Sequence, residues 1–162
     1  MSERTVAIMS AGAMGSAIGA VLLQGGYRVI TSLEGRSGRT AALAEEAGLE
    51  LVGSDAELVR EAGILLSVLA PAGAVPLAER IAAAVCSTGT DLLYADLNAV
   101  APQTVRSIAS IVTTSGARFV DGGIMGDPPE KGRAQPAIVL SGEDAAEIAA
   151  LGDAGLQFRI LN

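Results

Sequence analysis

The first residues able to do chemistry stand together near the start of the chain, in Ser10-x-Gly12-x-x-Gly15. This turn follows a short β-rich run, Thr5 to Met9, and opens an apolar helical pattern that continues to Leu23 before Gly25-Gly26 stops it. A glycine turn between a strand and a helix suits an anion. The backbone comes close to the ligand, and the free N–H groups of the first helical turn face it. Ser10, Gly12, Ala13, Met14 and Gly15 are therefore the residues expected to cradle a phosphate or diphosphate. Gly15 and Gly19, four apart, share one helix face and leave it bare where the helix must touch the sheet. Ser10 stands where the usual pattern has its first glycine, and a tight turn that serves packing alone is the bland alternative.

Glu34 lies about twenty residues beyond Gly12, just past a second β-rich run from Arg28 to Ser32, where a carboxylate can accept from the hydroxyls of an adenosine ribose. Arg36, Ser37 and Arg39 follow at once, and such donors suit a 2′-phosphate. The glycine turn and the acidic position together indicate a dinucleotide. The donor cluster, in an acidic chain, favours NADP, with NAD as the alternative. A merely solvated charged loop is the competing reading for each of these side chains.

Composition narrows the partners. The chain has 162 residues, 18 acidic against 11 basic, for a net charge of −7. No broad phosphate-tracking surface is expected, so nucleic acid is a poor partner and a small-molecule substrate a better one. There is no histidine and one cysteine, which removes histidine triads, cysteine clusters and an internal disulfide. Cys86 falls in the apolar helical run Ile81 to Cys86 and is expected to be a buried structural thiol. The apolar stretch from Ile64 is broken by Pro71, Pro76, Glu79 and Arg80, so no membrane span is expected. The opening Met1-Ser2-Glu3-Arg4 leads straight into a strand, without the pattern of a signal peptide, and a cytoplasmic location is expected.

The elements that must carry these residues alternate along the whole chain. Helices are expected over 39–47, from a Ser54-Asp55 cap to Ala62, over 75–86, from Pro102 to about Val112, and over 143–151. Further strands are expected over 49–52, 64–69, 91–97, 118–120, 137–140 and 157–161, the pair 118–120 and 137–140 flanking a Gly/Pro-rich loop. Half the residues are apolar, mostly small and aliphatic, and only four are aromatic. That composition suits helices lying close on a buried parallel sheet. The expected fold is α/β, a doubly wound, mostly parallel sheet of the Rossmann type, with 1–162 as one dinucleotide-binding domain.

With the loop around Met14-Gly15, the run Asp96-Leu97-Asn98-Ala99-Val100-Ala101-Pro102 and the run Asp121-Gly122-Gly123-Ile124-Met125-Gly126, the chain resembles the N-terminal domain of the β-hydroxyacid dehydrogenases. That group includes 3-hydroxyisobutyrate and 6-phosphogluconate dehydrogenases, with imine reductases as relatives. The segments 31–37 and Asp127-Pro128-Pro129 are closer to a less characterised, 6-phosphogluconate-dehydrogenase-like branch. The resemblance implies that Leu69-Ala70-Pro71 flanks the adenine and ribose side and that Asn98 sits near the nicotinamide ribose. It also implies that 121–126 matches a substrate-contacting loop. There the family offers a serine and two glycines, whereas Met125, Gly126 and Asp127 stand here. A cap on the turn into the Pro102 helix is the alternative role for Asn98.

The resemblance also implies what completes the chemistry: a proton-transferring lysine on a helix after this domain, and a large C-terminal helical domain that closes the cleft and makes most of a dimer. Both are expected from a further domain or a partner chain, with an oligomer as the full-length form. No catalytic residue is assigned within 1–162. Lys131, the sole lysine, lies in a charged loop without sign of burial, and no Tyr-x-x-x-Lys pair accompanies Tyr94. Tyr27 is read as packing, and Asp96 and Asp121 as turn caps or functional carboxylates alike. The favoured function is the cofactor half of an oxidoreductase acting on a CH–OH or imine group. A nucleotide-sensing or scaffold domain without chemistry is the alternative. A methyl transferase shares the glycine turn and the acidic position, but its donor has no phosphate for Arg36, Ser37 and Arg39.

Overall fold

The computed structural model describes residues 4–35 and 37–162. Among them eight strands make one sheet: β1 (Thr5–Met9), β2 (Arg28–Thr31), β3 (Glu50–Leu51), β4 (Ile64–Ser67), β5 (Leu93–Asp96), β6 (Arg118–Met125), β7 (Ala137–Ser141) and β8 (Gln157–Ile160). Their order is β3-β2-β1-β4-β5-β6-β7-β8. Neighbours run parallel except β6 and β7, which pair antiparallel. This is the doubly wound, mostly parallel sheet that the alternation of elements predicts.

The period-2 alternation of the strands divides the apolar residues between two cores. Val6 and Ile8 of β1 face one core, shared with Ile18 and Leu22 of α1 (Ala13–Gln24), Ala44 of α2 (Gly38–Ala47) and Ile148 of α6 (Ala145–Ala149). Ala7 and Met9 face the other, shared with Leu58 of α3 (Asp55–Glu61), Leu77 and Ile81 of α4 (Ala74–Thr88) and Ile108 of α5 (Pro102–Thr114). β1 is thus buried on both sides, which is why it reads as an unbroken apolar run. Caps delimit the helices, at Ser54 and Gly48 as the sequence suggests and at Ser37 where it suggests only a phosphate donor. Ser37 accepts from the Thr40 N–H at the start of α2, Ser54 from the Glu57 N–H at the start of α3, and Gly48 ends α2 in the left-handed region.

Three expectations are corrected. The segment 121–126 is not a loop. β6 runs through to Met125, with Asp121 opposite Ser141 and Met125 opposite Ala137. The glycines that suggested a loop serve the strand: a Cβ on Gly122 would lie 2.8 Å from Leu97 Cδ2 and 2.8 Å from the Val139 carbonyl oxygen. Cys86 is exposed, its Sγ 4.0 Å from the Ser115 carbonyl oxygen, while Ile81, Ala84 and Val85 take the buried face of α4. Six consecutive apolar positions in 81–86 hide the phase of the helix, so sequence alone misplaces the thiol. The strand expected at 49–52 shrinks to two residues at the sheet edge. Tyr27, expected to pack, is buried and also donates from its hydroxyl to Asp153 at 2.7 Å. Among the described residues no helix is long and apolar enough to cross a membrane.

Candidate functional site

From β1 the chain moves outward to β2 and β3, then returns to place β4 on the other side of β1. At that reversal the connection after β1 leaves to one face of the sheet and the connection after β4 to the other, opening a crevice at the carboxyl ends of the strands. The glycine turn forms one lip. A Cβ on Gly15 would stand 2.0 Å from the Ser10 carbonyl oxygen and 3.1 Å from Ile8 Cγ2, and one on Gly19 2.6 Å from Leu49 Cδ2. These glycines therefore let α1 lie against the strand and turn, as their spacing suggests. Gly12 differs. Its φ is −72°, open to any residue, and a Cβ there would meet only Ser10 Oγ at 4.0 Å. As N-cap of α1 it offers no side-chain cap, so the first-turn N–H groups, those of Ala13 and Met14 included, point out of the helix end. Ser16, by contrast, is committed to the fold, its hydroxyl donating to the Ala11 carbonyl at 2.7 Å.

On the β2 side, Thr31 and Ser32 are buried, and Thr31 Oγ1 donates to the Ile8 carbonyl at 2.6 Å, tying β2 to β1. Glu34 is exposed just beyond, with its backbone N–H bonded to Ser32 Oγ at 3.4 Å. Ser37 is the N-cap of α2: its Oγ accepts from the Thr40 N–H at 3.3 Å and also lies 3.3 Å from Thr40 Oγ1. Arg39 is exposed in the first turn of α2. Arg36 lies outside the described residues.

Beyond β4 and β5 the structure brings together residues that the sequence considers separately. Leu69 and Ala70 follow β4, and the Leu69 N–H donates to Asn98 Oδ1 at 2.7 Å. Asn98 Nδ2 donates to Ser67 Oγ at 2.9 Å, and the Asn98 backbone N–H to Asp96 Oδ1 at 2.9 Å. The Asn98 amide is thus bonded to Leu69 and Ser67 rather than to the turn into the Pro102 helix, which starts at Ala101 without a side-chain cap. Ser67 belongs to this group and was not anticipated. Its signal was a hydroxyl inside the apolar run Ile64-Leu65-Leu66-Ser67, which a strand buried on both faces tolerates only with a partner.

Asp96 is wholly buried, and its Oδ2, like the Tyr94 hydroxyl, has no hydrogen-bond partner among the described residues. Burial pushes the Asp96 carboxyl above the ordinary range, with the in-register Asp121 adding to the push against the hydrogen bonds from Asn98. Asp121 is itself raised by burial, and the Tyr94 phenol likewise. Between the unfolded and the raised folded pKa of Asp96, the folded state binds more protons. Stability is therefore highest on the acid side and falls as pH rises through the folded value. Asp96→Asn keeps the Oδ1 acceptor and removes the charge. Its melting temperature is expected to fall less than that of the wild type as pH rises from about 4, the unfolded value, through the raised folded one, with Asp121 leaving a smaller slope in both. Equal slopes in the two proteins would show that another group carries the effect, Asp121 first.

Lys131 is exposed and lines a groove with Ala17, Ala20 and Gln24 along α1, away from the glycine turn. At the end of β6 a cleft of about 590 Å³ opens beside Asp121, walled by Gly123, Met125, Val139, Arg159 and Leu161. Met125 is 58% exposed there, an apolar side chain where the resembled family offers a serine.

Known proteins share this arrangement. Residues 5–151 match the model of the NAD-binding domain of 6-phosphogluconate dehydrogenase. An NADPH-dependent reductive aminase of Aspergillus oryzae (strain ATCC 42149 / RIB 40) is 31% identical over 141 residues, covering 87% of this chain and 46% of that protein. A solved conserved protein of unknown function, reported as structurally similar to 3-hydroxyacid dehydrogenases, is 28% identical with a TM-score of 0.84. That match covers 98% of this chain and 57% of the other. The 3-hydroxyisobutyrate dehydrogenase of Mycobacterium tuberculosis shares the fold at 18% identity and a TM-score of 0.79, over 98% of this chain and 54% of the other. The chain spans about half the length of the relatives it matches.

Proposed function

This chain belongs to the family of the NAD-binding domain of 6-phosphogluconate dehydrogenase, and on that premise we propose that its crevice holds NADP(H) for an oxidoreductase acting on a CH–OH or imine group. The observation that carries the reading is Gly12. Neither its backbone angle nor its protein neighbours require a glycine, so the space above it serves something other than the fold. A diphosphate on the uncapped end of α1 fits that space, accepting from Ala13 and Met14. The residues past β2 then meet the adenosine ribose. Ser37 and Arg39 support NADP over NAD, as does the NADPH dependence of the Aspergillus oryzae relative; Glu34 alone favours the free ribose.

Hydride transfer is the chemistry that a nicotinamide supplies when bound. The proton it requires has no donor assigned within 1–162, and Lys131 lies along α1 away from the turn. We therefore read the chain as one dinucleotide-binding domain, completed by a helical domain or partner chain that brings the donor, closes the cleft and supports an oligomer. Cytoplasmic placement is part of the reading.

Calorimetry tests the cofactor. The wild type should bind NADPH more tightly than NADH. Arg39→Ala should weaken NADPH by about tenfold to a hundredfold, the scale of a hydrogen bond to a charged group, and leave NADH almost unchanged. Preference for NADH, or equal losses for both, would overturn the NADP reading. With reduced cofactor and a panel of keto acids, aldehydes and imines, the chain alone should show no turnover. Turnover abolished by Lys131→Ala would make this chain a complete enzyme.

A further inference from the structure

We propose that Asn98 is a positioning residue: it locks the turn after β4 to the turn after β5 and so shapes the wall against which the adenosine diphosphate half of the cofactor rests. The inference depends on the crevice holding a dinucleotide, as argued above.

Asn98 is 7% exposed, and its side-chain amide is engaged on both ends, Oδ1 by the Leu69 N–H and Nδ2 by Ser67 Oγ. The bonds continue in both directions. Beneath, Asp96 Oδ1 holds the Asn98 backbone N–H. On the other side, the Val68 carbonyl accepts from the Ser10 N–H at 3.0 Å, joining the turn after β4 to the glycine turn after β1. Leu69 also packs over the next turn, since a Cβ on Gly73 would lie 2.7 Å from Leu69 Cδ1. Three connections at the carboxyl edge, after β1, β4 and β5, are thereby one hydrogen-bonded unit with Asn98 as its clasp. The β5 turn lies two strands from β1, about 10 Å away at the usual strand spacing. A ligand that ends at the diphosphate does not extend to it.

That separation distinguishes a clasp from a direct contact. ADP carries the adenosine and the diphosphate but no nicotinamide ribose. If Asn98 acts as a clasp, Asn98→Ala weakens ADP by about fivefold to tenfold, the loss expected for one or two buried hydrogen bonds, and weakens NADPH at least as much. If Asn98 acts only by touching the nicotinamide ribose, NADPH weakens and ADP does not. Ser67→Ala is the second variant. Ser67 is wholly buried beneath Asn98 and removes one anchor of the clasp. It should weaken ADP in the same direction by a smaller factor, and it decides the matter if Asn98→Ala does not fold. Hydrogen exchange reads the clasp without ligand. The Leu69 amide should exchange faster in Asn98→Ala while those of Leu65 and Leu66, inside β4, stay protected. ADP affinity and Leu69 exchange both unchanged would overturn the clasp and leave the cofactor reading standing. A wild type that binds neither ADP nor NADPH would overturn both.

Discussion

Gly15→Ala is expected to lower the melting temperature by about 4–8 °C, even though alanine is the better helix former. Alanine at an internal helical position gains about 1 kcal/mol over glycine. Against this stands the geometry of the turn: the new Cβ would lie 2.0 Å from the Ser10 carbonyl oxygen and 3.1 Å from both the Ser10 carbonyl carbon and Ile8 Cγ2. The nearest of these atoms is backbone, so no side-chain rotation relieves the contact, and α1 must move off β1. Overpacking of this kind costs about 3 kcal/mol or more. The net loss of about 2 kcal/mol corresponds to that melting shift for a domain of this size. Thermal denaturation followed by circular dichroism checks it. A melting temperature equal to or above that of the wild type would mean that α1 stands farther from the turn than described.

Gly12→Val should have the opposite profile, with folding kept and cofactor binding lost. A Cβ at position 12 meets only Ser10 Oγ at 4.0 Å, and the φ of −72° is ordinary for valine. The fold then loses only the difference between glycine and valine at an N-cap, about 1 kcal/mol. A branched side chain does, however, occupy the space in front of the α1 N–H groups, where the diphosphate must approach. NADPH affinity is expected to fall by about a hundredfold or more in calorimetry, with a melting curve displaced by only about 2–4 °C. Full affinity in this variant would move the diphosphate away from the glycine turn. The two glycines, three residues apart, thus separate a requirement of packing from one of binding.

Sequence alone already implied the alternation of strands and helices, the mostly parallel sheet, the caps at Ser54 and Gly48 and the junction role of 10–15. Each rests on short-range physics: apolar periodicity, turn chemistry, or a side chain bonding the backbone two or three residues away. The packing role of Gly15 and Gly19 was legible for the same reason, since four residues make one helical turn. Interactions between distant parts of the chain were not legible. Asn98 offered a ribose contact and a cap on the turn into the Pro102 helix in the sequence, and the fold spends its side chain elsewhere. The partners of its side chain, Leu69 and Ser67, lie 29 and 31 residues away and come within reach only once β4 and β5 pair. Likewise, the glycines of 121–126 suggest a loop until Leu97, Val139 and Leu140 close around Gly122, where only a residue without a side chain fits. The phase of α4, and with it the exposure of Cys86, needed the sheet beneath to say which of six apolar positions faced inward. Local pattern decided which elements form and where the glycine turn lies. Cross-strand pairing decided which polar side chains are already committed to one another, because hydrogen-bond partners are a property of neighbours in space.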